Sequence, residues 1–332
     1  PMTPPAVSIV VVSWNTRDIL RDCLKSIDES AGPIRCEIIV VDNASADNSV
    51  EMVRREFPHV RLIANAENRG FAAANNQGMA VAQGRYVLLL NSDTVVLNGA
   101  IARTVAFAEA HPEAAVVGCR VLNADRTLQP TCFMFPSVLN MLLSSTHLYK
   151  LRPRSRFFGR ERMTWWERDD VRQVEVVDGC YMFVRRDAIE QVGLLDETFF
   201  MYGEETDWCY RFRQRGWKNL FCPEAQIIHL GGQSSKLVKT EMVYQLRAGI
   251  LQFVKKHHGP VRYRAACLLV SLWFATRVPY WLLKSLSGAG RRSEFLAIAT
   301  AYVLGSLRAM AGYQALCCRR SGMSVARGSL AG

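Results

Sequence analysis

At 332 residues the chain can bury a substantial core, as one large α/β domain with an appendage or as two modest domains, and this excludes a mini-protein held together by staples. Lys plus Arg number 41 against 30 Asp plus Glu, a net charge of +11 that suits anionic lipid, a diphosphate substrate or nucleic acid and does not by itself choose among them. The cysteines form no CxxC pair and no framework spacing, and no basic segment leading into an apolar one opens the sequence; a disulfide scaffold and export are therefore not expected, and reduced thiols in a cytosolic compartment are.

Apolar runs at 8–13 and 37–41 alternate with amphipathic stretches at 16–26 and 45–57, a βαβα rhythm. The apolar runs lack in-and-out alternation, as expected of strands in a parallel sheet covered by helices on both faces. Ile19, Leu20, Cys23, Leu24 and Ile27 recur at helical spacing. Ser45 is expected to cap a helix whose Val50, Val53 and Phe57 share one face. A strand over 86–90 runs into Asn91-Ser92-Asp93.

From 136 to 172 the pattern loosens into basic and aromatic residues, among them Arg152, Arg154, Arg156, Arg160, Trp165 and Trp166, which predicts a mobile excursion. A strand over 174–185, a short helix over 187–192 and a loop-rich stretch over 196–235 are expected next. Beyond Met242 the composition shifts to long helical runs, so the boundary is placed between a catalytic region, 1–240, and a helical region, 241–332. Its apolar runs, 265–283 and 295–307, are interrupted by Arg277 and Pro279 or short, and so are expected to lie in a membrane interface with flanking Arg and Lys on anionic head groups. A helical subdomain or an oligomer contact is the other reading.

In a doubly wound sheet ligands bind beyond the carboxyl ends of the strands. Three apolar runs here end in polar residues: Ser13-Trp14-Asn15, Asp42-Asn43-Ala44-Ser45 and Asn91-Ser92-Asp93. An isolated Asp in such a place reads as a cap; three on one sheet edge read as a ligand site. Between them, the stretch from Asn68 through Gly70 and Asn75 to Gly78 has the small residues that let a backbone approach a nucleotide at a helix start. It is neither a Walker loop nor a dinucleotide glycine fingerprint, which argues against an NTPase or a dehydrogenase. Glu204, Glu205 and Asp207 stand between Phe199, Phe200, Tyr202 and Trp208. Carboxylates this close repel and desolvate one another, and an enclosed site of this kind raises a carboxyl pKa toward that of a useful base. His229 precedes a glycine and serine turn at 231–235, and with Asp93 as a hard oxygen ligand it would complete a site for Mg²⁺ or Mn²⁺ that also holds a diphosphate.

Taken in order, these segments resemble glycosyltransferase family 2 over roughly 7–235. The resemblance implies an α/β fold of the GT-A nucleotide-sugar type with a mainly parallel central sheet, followed by a C-terminal helical, membrane-associated extension. It implies inverting transfer of a sugar from a dTDP or UDP donor to a lipid-linked or saccharide acceptor, dependent on Mg²⁺ or Mn²⁺. It places Asp42 at the base or ribose, with Ser13, Asn15, Asn68, Gly70, Asn75, Ser92 and Asp93 about the donor. Asp93 and His229 fall at the metal, and Asp178, Gly179 and Trp208 beside the acceptor. Family members commonly have Glu-Asp where this chain has Glu204-Glu205, so the base stays open among Glu204, Glu205 and Asp207. By analogy with long members carrying a helical extension, the leading donor is dTDP-rhamnose and the setting is surface polysaccharide assembly at the cytoplasmic face of the plasma membrane. Nucleic acid is not an expected partner; homo-oligomerisation is left open. Competing readings are a nucleotidyltransferase, whose basic glycine-rich loop 13–17 lacks, and a noncatalytic membrane-bound scaffold, which the intact Asp93, His229 and carboxylate cluster oppose.

Overall fold

The computed structural model describes residues 4–30, 32–231, 239–287 and 291–317, and the chain divides into two compact units, Pro1–Leu237 and Val238–Gly332. The first unit opens with β1 (Val7–Ser13), α1 (Arg17–Ser30), β2 (Cys36–Asp42), α2 (Ser49–Glu56), β3 (Arg61–Ala64), α3 (Phe71–Val81) and β4 (Tyr86–Asn91). It continues with β5 (Thr94–Leu97), α4 (Ala100–Ala110), β6 (Ala114–Leu122), α5 (Val138–Ser145), β7 (Arg172–Val174) and β8 (Tyr181–Arg185), and ends with α6 (Arg186–Val192), α7 (Glu204–Gln214) and β9 (Lys218–His229).

The strands form one sheet in the order β3-β2-β1-β4-β8-β6-β9-β5, with β7 paired to β9. The run β3-β2-β1-β4 is parallel throughout, β6 and β9 follow the same direction, and β5, β7 and β8 oppose it; the sheet is mixed and mainly parallel in strand direction. On α1 the buried residues Leu20, Cys23, Leu24 and Ile27 fall at i, i+3, i+4 and i+7, the stripe that packs a helix onto a sheet. Each such side chain, fully buried, contributes about 1.5–3 kcal/mol. Helix α3 approaches much more closely: at Gly78 an added Cβ would lie 3.1 Å from Val10 Cγ2 and nearer still to Cγ1, so only glycine lets this helix settle onto β1.

Register decides where the polar strand ends come to lie. Ser13 pairs with Asp42 across β1 and β2, and Val12 pairs with Asn91 across β1 and β4. The three polar termini are therefore level along one edge.

Four expectations need correcting. Helix α2 begins at Ser49, behind Asn48 in a left-handed conformation (φ 63), because Ser45 and Asp47 spend their side chains on the backbone of Asn15 and Arg17 instead. The run 174–185 is not one strand; Asp178 accepts a hydrogen bond from the Cys180 amide at 3.0 Å, which turns the chain between β7 and β8. The stretch 196–235 is not mainly loop, since it holds α7 and the long strand β9. The segment 136–172 carries α5 and a series of turns gathered on Arg168, which is 1% exposed and donates to the carbonyls of Thr131, Arg162, Met163 and Trp166.

The second unit comprises α8 (Lys239–His257), α9 (Pro260–Ala275), α10 (Val278–Ser287), α11 (Arg292–Ala311) and α12 (Tyr313–Leu316). Gly305 of α11 lies where a Cβ would be 2.8 Å from both Phe274 of α9 and Tyr244 of α8, and Ser271 and Ser306 hydroxyls meet at 2.8 Å. Two stretches, Pro260–Ser287 of 28 residues and Arg292–Ala311 of 20, are long and apolar enough by length and composition to cross a membrane, and little of either is buried within the chain. The expected interfacial helices are thus also of spanning length.

Replacing Arg168 with Met should leave four carbonyls without their donor, at roughly 3–5 kcal/mol, and lower the melting temperature by on the order of 10 °C. An unchanged melting temperature would show that the turns of 152–172 hold without it.

Candidate active site

The floor of the site is the level edge of β1, β2 and β4. Ser13, Thr16 and Ser92 form a buried chain of hydroxyls, with Ser13 to Thr16 at 3.0 Å and Thr16 to Ser92 at 3.2 Å. Two non-glycine residues at the strand ends, Asn15 (φ 53) and Ala44 (φ 65), adopt left-handed backbone. This is a conformation held only by its surroundings. Here the surroundings are reciprocal bonds, from the Asn15 amide to Ser45 Oγ at 2.9 Å and from the Ala46 amide to Asn15 Oδ1 at 2.8 Å. Asp42 is 2% exposed. One of its oxygens accepts from the Ser45 amide at 2.9 Å, while Oδ1 is buried with no hydrogen-bond partner. A buried acceptor left open in this way is costly unless a ligand donates to it.

Beside Asp42, Asn43 donates to Asn68 Oδ1 and the Gly70 carbonyl and accepts from Asn65 and the Arg69 amide. It shapes the 65–70 turn, and Asn68 is part of that framework. Gly70 has φ +82, and an added Cβ would be driven into the Phe200 carbonyl and to 2.7 Å from its ring. The next amide, Phe71, donates to the same Phe200 carbonyl at 2.9 Å. Gly179 faces the Phe71 ring, where a Cβ would sit 3.7 Å away. The 65–70 turn, the 178–180 turn and the segment entering α7 are thereby brought together.

On the other side of β4, the antiparallel pairing of β5 with β9 sets Thr94 against His229, so Asp93 lies beside the imidazole. His229 Nε2 is 3.2 Å from Asp93 Oδ1. Nδ1 is 2.7 Å from Gln129 Oε1, whose own amide nitrogen donates to Asn123 and to the His229 carbonyl. Gln129 Oε1 must therefore accept, which puts the proton on Nδ1 and turns the Nε2 lone pair toward a carboxylate. Two acceptors face one another there, and a proton or a cation between them resolves the conflict. Burial pushes the imidazole down, but the hydrogen bond and charge of Asp93, with Asp178 beyond, outweigh it and raise the pKa. Among the described residues no three His, Cys, Asp or Glu form a metal-holding group. The pair suits a hard divalent ion that completes its shell with water and substrate phosphate oxygens.

The third group is the start of α7, where Tyr202 (φ 65) and Gly203 (φ 105) are both left-handed. Glu205 Oε2 accepts from the Gly203 amide at 3.0 Å. Burial first, and then the Asp178 carboxylate, push its pKa up to about 7. Glu204 is 3% exposed with Oε2 unpartnered, and burial followed by Glu205 raises it well above the ordinary range.

Not every expected residue faces this space. Trp208 is wholly buried, its indole N–H donating to the Gly193 carbonyl at 2.8 Å. It is a core residue and not an acceptor contact. Asp207, with no exposed surface, is held by Arg211 at 2.7 Å, and Arg211 is itself fixed to the carbonyls of Val192 and Leu194. Asn75, 1% exposed, donates to the Phe71 carbonyl within α3. The turn expected after His229 falls, from residue 232 on, outside the described residues. Thr16 and Gln129 were not singled out by sequence, since a lone polar residue off a strand end gives no periodic signal.

The sequence model described as Glycosyl transferase family 2 matches residues 8–193. The chain is similar to an N-acetylglucosaminyl-diphospho-decaprenol L-rhamnosyltransferase of Mycobacterium tuberculosis, 27% identical over 205 residues covering 58% of this chain and 66% of that one; it thus spans less than two thirds of this relative's length. It is also similar to a low-salt glycan biosynthesis hexosyltransferase of Haloferax volcanii, 23% identical across 82% of this chain and 84% of the other. Among solved structures, a mannosyltransferase from Pyrobaculum calidifontis in complex with GDP-Man and Mn²⁺ superimposes with a TM-score of 0.57 at 15% identity, covering 93% of this chain and 88% of that one. That likeness carries the fold, which is of the GT-A type.

Because Glu205 titrates at about 7 when folded against 4.5 as its ordinary value, it contributes nothing to stability when both states are protonated. As pH rises through this window the unfolded chain releases its proton first and stability falls, the full cost being carried above it. Glu205→Gln should therefore melt several degrees above the unaltered protein at about pH 8 and together with it at about pH 4, a cost on the order of 3 kcal/mol. Equal melting at both would show that Glu205 is not held out of its ionised form.

Proposed function

We propose that this chain, which belongs to glycosyl transferase family 2, moves a sugar from a nucleoside-diphosphate donor to an acceptor hydroxyl with inversion, in the synthesis of a cell-surface polysaccharide. The observation that carries the reading is the convergence, along one sheet edge, of a buried Asp42 oxygen awaiting a donor, the Asp93 and His229 pair and a carboxyl with a pKa near 7.

Asp42 Oδ1 would accept from the nucleoside, in the cleft floored by Ser13, Asn15 and Ser92, and Gly70 would let the 68–71 backbone lie against it. Asp93 and His229 are the residues that would hold Mg²⁺ or Mn²⁺, and the ion would neutralise charge developing on the departing diphosphate. Gln129 keeps the imidazole turned for that duty. Asp178 and Gly179 border the acceptor. Glu205 takes the proton from the acceptor hydroxyl as it attacks the face of the anomeric carbon opposite the leaving group, so one displacement inverts the centre. A base with a pKa near 7 is suited to this, being ionised at neutral pH while still able to hold a proton. Glu204 lies beside it, its pKa raised well above the ordinary range by burial and then by Glu205. Asp207 takes no part in proton transfer; it fixes α7 through Arg211.

The rhamnosyl group named for the mycobacterial relative supports dTDP-rhamnose as donor and a lipid-linked diphospho-saccharide as acceptor. We assign donor and acceptor chemistry to 1–240 and membrane association to the helices of 241–332, at the cytoplasmic face.

Asp93→Ala should abolish metal-supported turnover and donor hydrolysis while the melting temperature in the absence of ligand stays within a few degrees; full activity with unchanged metal affinity would overturn the assignment. Glu205→Gln should lower kcat about 10²- to 10⁴-fold with little change in donor Kd, and remove the rise of kcat/KM with pH through about 7. If Asp207→Asn and not Glu205→Gln abolishes that rise, the base has been misassigned. In a thermal-shift screen of sugar nucleotides with Mg²⁺ or Mn²⁺, dTDP-rhamnose should raise the melting temperature most. A larger rise with a UDP-sugar would sink the rhamnose reading.

A further inference from the structure

Between Asp125 and Glu161 the sequence contains no acidic residue. The structure shows what this stretch presents. After α5 the chain turns repeatedly, and Lys150, Arg152, Arg154, Arg156 and Arg162 all stand exposed. No ion pair links any of them to an acid among the described residues. Interleaved with them are large apolar side chains open to solvent, Leu151 at 67% and Phe157 at 51%, with Leu142 and Leu148 nearby. Exposed apolar groups set among cations that have no acidic partner are not the pattern of a solvated polar loop.

The turns are built, not slack. Thr164 Oγ1 donates to the Pro153 carbonyl, and Gly159 sits where a Cβ would strike that carbonyl and the Thr164 hydroxyl. Arg168 gathers the far side from within. The stretch is also tied to the active site by a short span of chain. Thr131 and Met134 anchor it, through Arg168 and through a bond from the Met134 amide to the Glu161 carbonyl at 2.9 Å. Gln129, two residues before Thr131, holds His229.

We propose that the 142–162 segment is a docking surface of the catalytic unit for an anionic bilayer. Its cations lie on lipid head groups, and Leu151 and Phe157 enter the boundary between head group and acyl chain. Nucleic acid fits less well, because the apolar half of the patch would gain no burial on a phosphate backbone; a second copy of the chain would bring like charge against like. Contact here holds the Gln129 side of the active site at head-group height, where the hydroxyl of a membrane-held acceptor is presented. The surface belongs to the first unit and is formed without the apolar helices of the second. It rests on exposure and charge and not on the sugar chemistry proposed above.

The test uses the full chain reconstituted in nanodiscs of phosphatidylcholine with or without phosphatidylglycerol, reading hydrogen–deuterium exchange of backbone amides in 142–162. Exchange should slow when phosphatidylglycerol is present, and the protection should be lost in an Arg152→Gln, Arg154→Gln, Arg156→Gln variant; each cation removed should weaken the contact about fivefold. High salt should weaken it, and Leu151→Ser with Phe157→Ser should remove the salt-resistant remainder. Arg55→Gln on α2, a cation outside the patch, should leave the protection intact. Calorimetric titration of the donor nucleotide should be unchanged in every variant, which separates this surface from the donor site and shows that the variants fold. Equal exchange with and without phosphatidylglycerol would overturn the proposal. So would protection of the same amides by an oligonucleotide to the same extent, or protection that grows with protein concentration in the absence of lipid.

Discussion

The constraint on which the rest of this structure turns is the burial of carboxyl groups gathered at one edge of a sheet. Burial first, then Asp178 for Glu205 and Glu205 for Glu204, raises the pKa of these carboxyls, while Asp93 and Asp178 draw a proton to His229 against its burial. Charges of one sign at close range inside a partly desolvated space are tolerated only if protons or cations are shared among them. The surrounding architecture supplies the means. Gln129 turns a lone pair of His229 toward Asp93, and the Gly203 amide steadies Glu205. Left-handed backbone occurs at the same places, at Asn15, Ala44 and Tyr202, as it does elsewhere in the chain. Such a conformation persists only where neighbouring structure over-determines it.

The edge was legible in the sequence because parallel strands buried on both faces write themselves as unbroken apolar runs, so the polar residue that ends each run stands out. Ser13, Asp42 and Asp93 were found in this way, and pairing register placed Ser13 level with Asp42 and Val12 with Asn91, two residues before Asp93. The carboxylate cluster was legible in composition but not in orientation. Without a helix assigned over 204–214, Glu204, Glu205, Asp207 and Trp208 read as equivalent neighbours. Once the helix exists, Glu204, Trp208 and Phe212 fall at i, i+4 and i+8 on the buried stripe, while Glu205, one residue and about 100° on, leaves it. Asp207 and Arg211 then meet at i, i+4.

The misreading of 136–172 has a physical cause. Periodicity reports elements that bury a continuous face, whereas the turns of 152–172 are organised by a single guanidinium reaching four carbonyls. One arginine among many in a basic stretch carries no mark of being the buried one. Gln129 escaped notice for a similar reason. Its importance lies in three simultaneous hydrogen bonds to residues distant in sequence or to their backbone.

One consequence follows from the meeting of Gly70, Phe71 and Phe200. The 65–70 turn with Phe71 and the segment that leads into Glu205 share a hydrogen bond at 2.9 Å, at a place where no side chain can be interposed. A movement of one would pull on the other, with Phe200 as the fulcrum, and any influence carried this way would run equally in both directions.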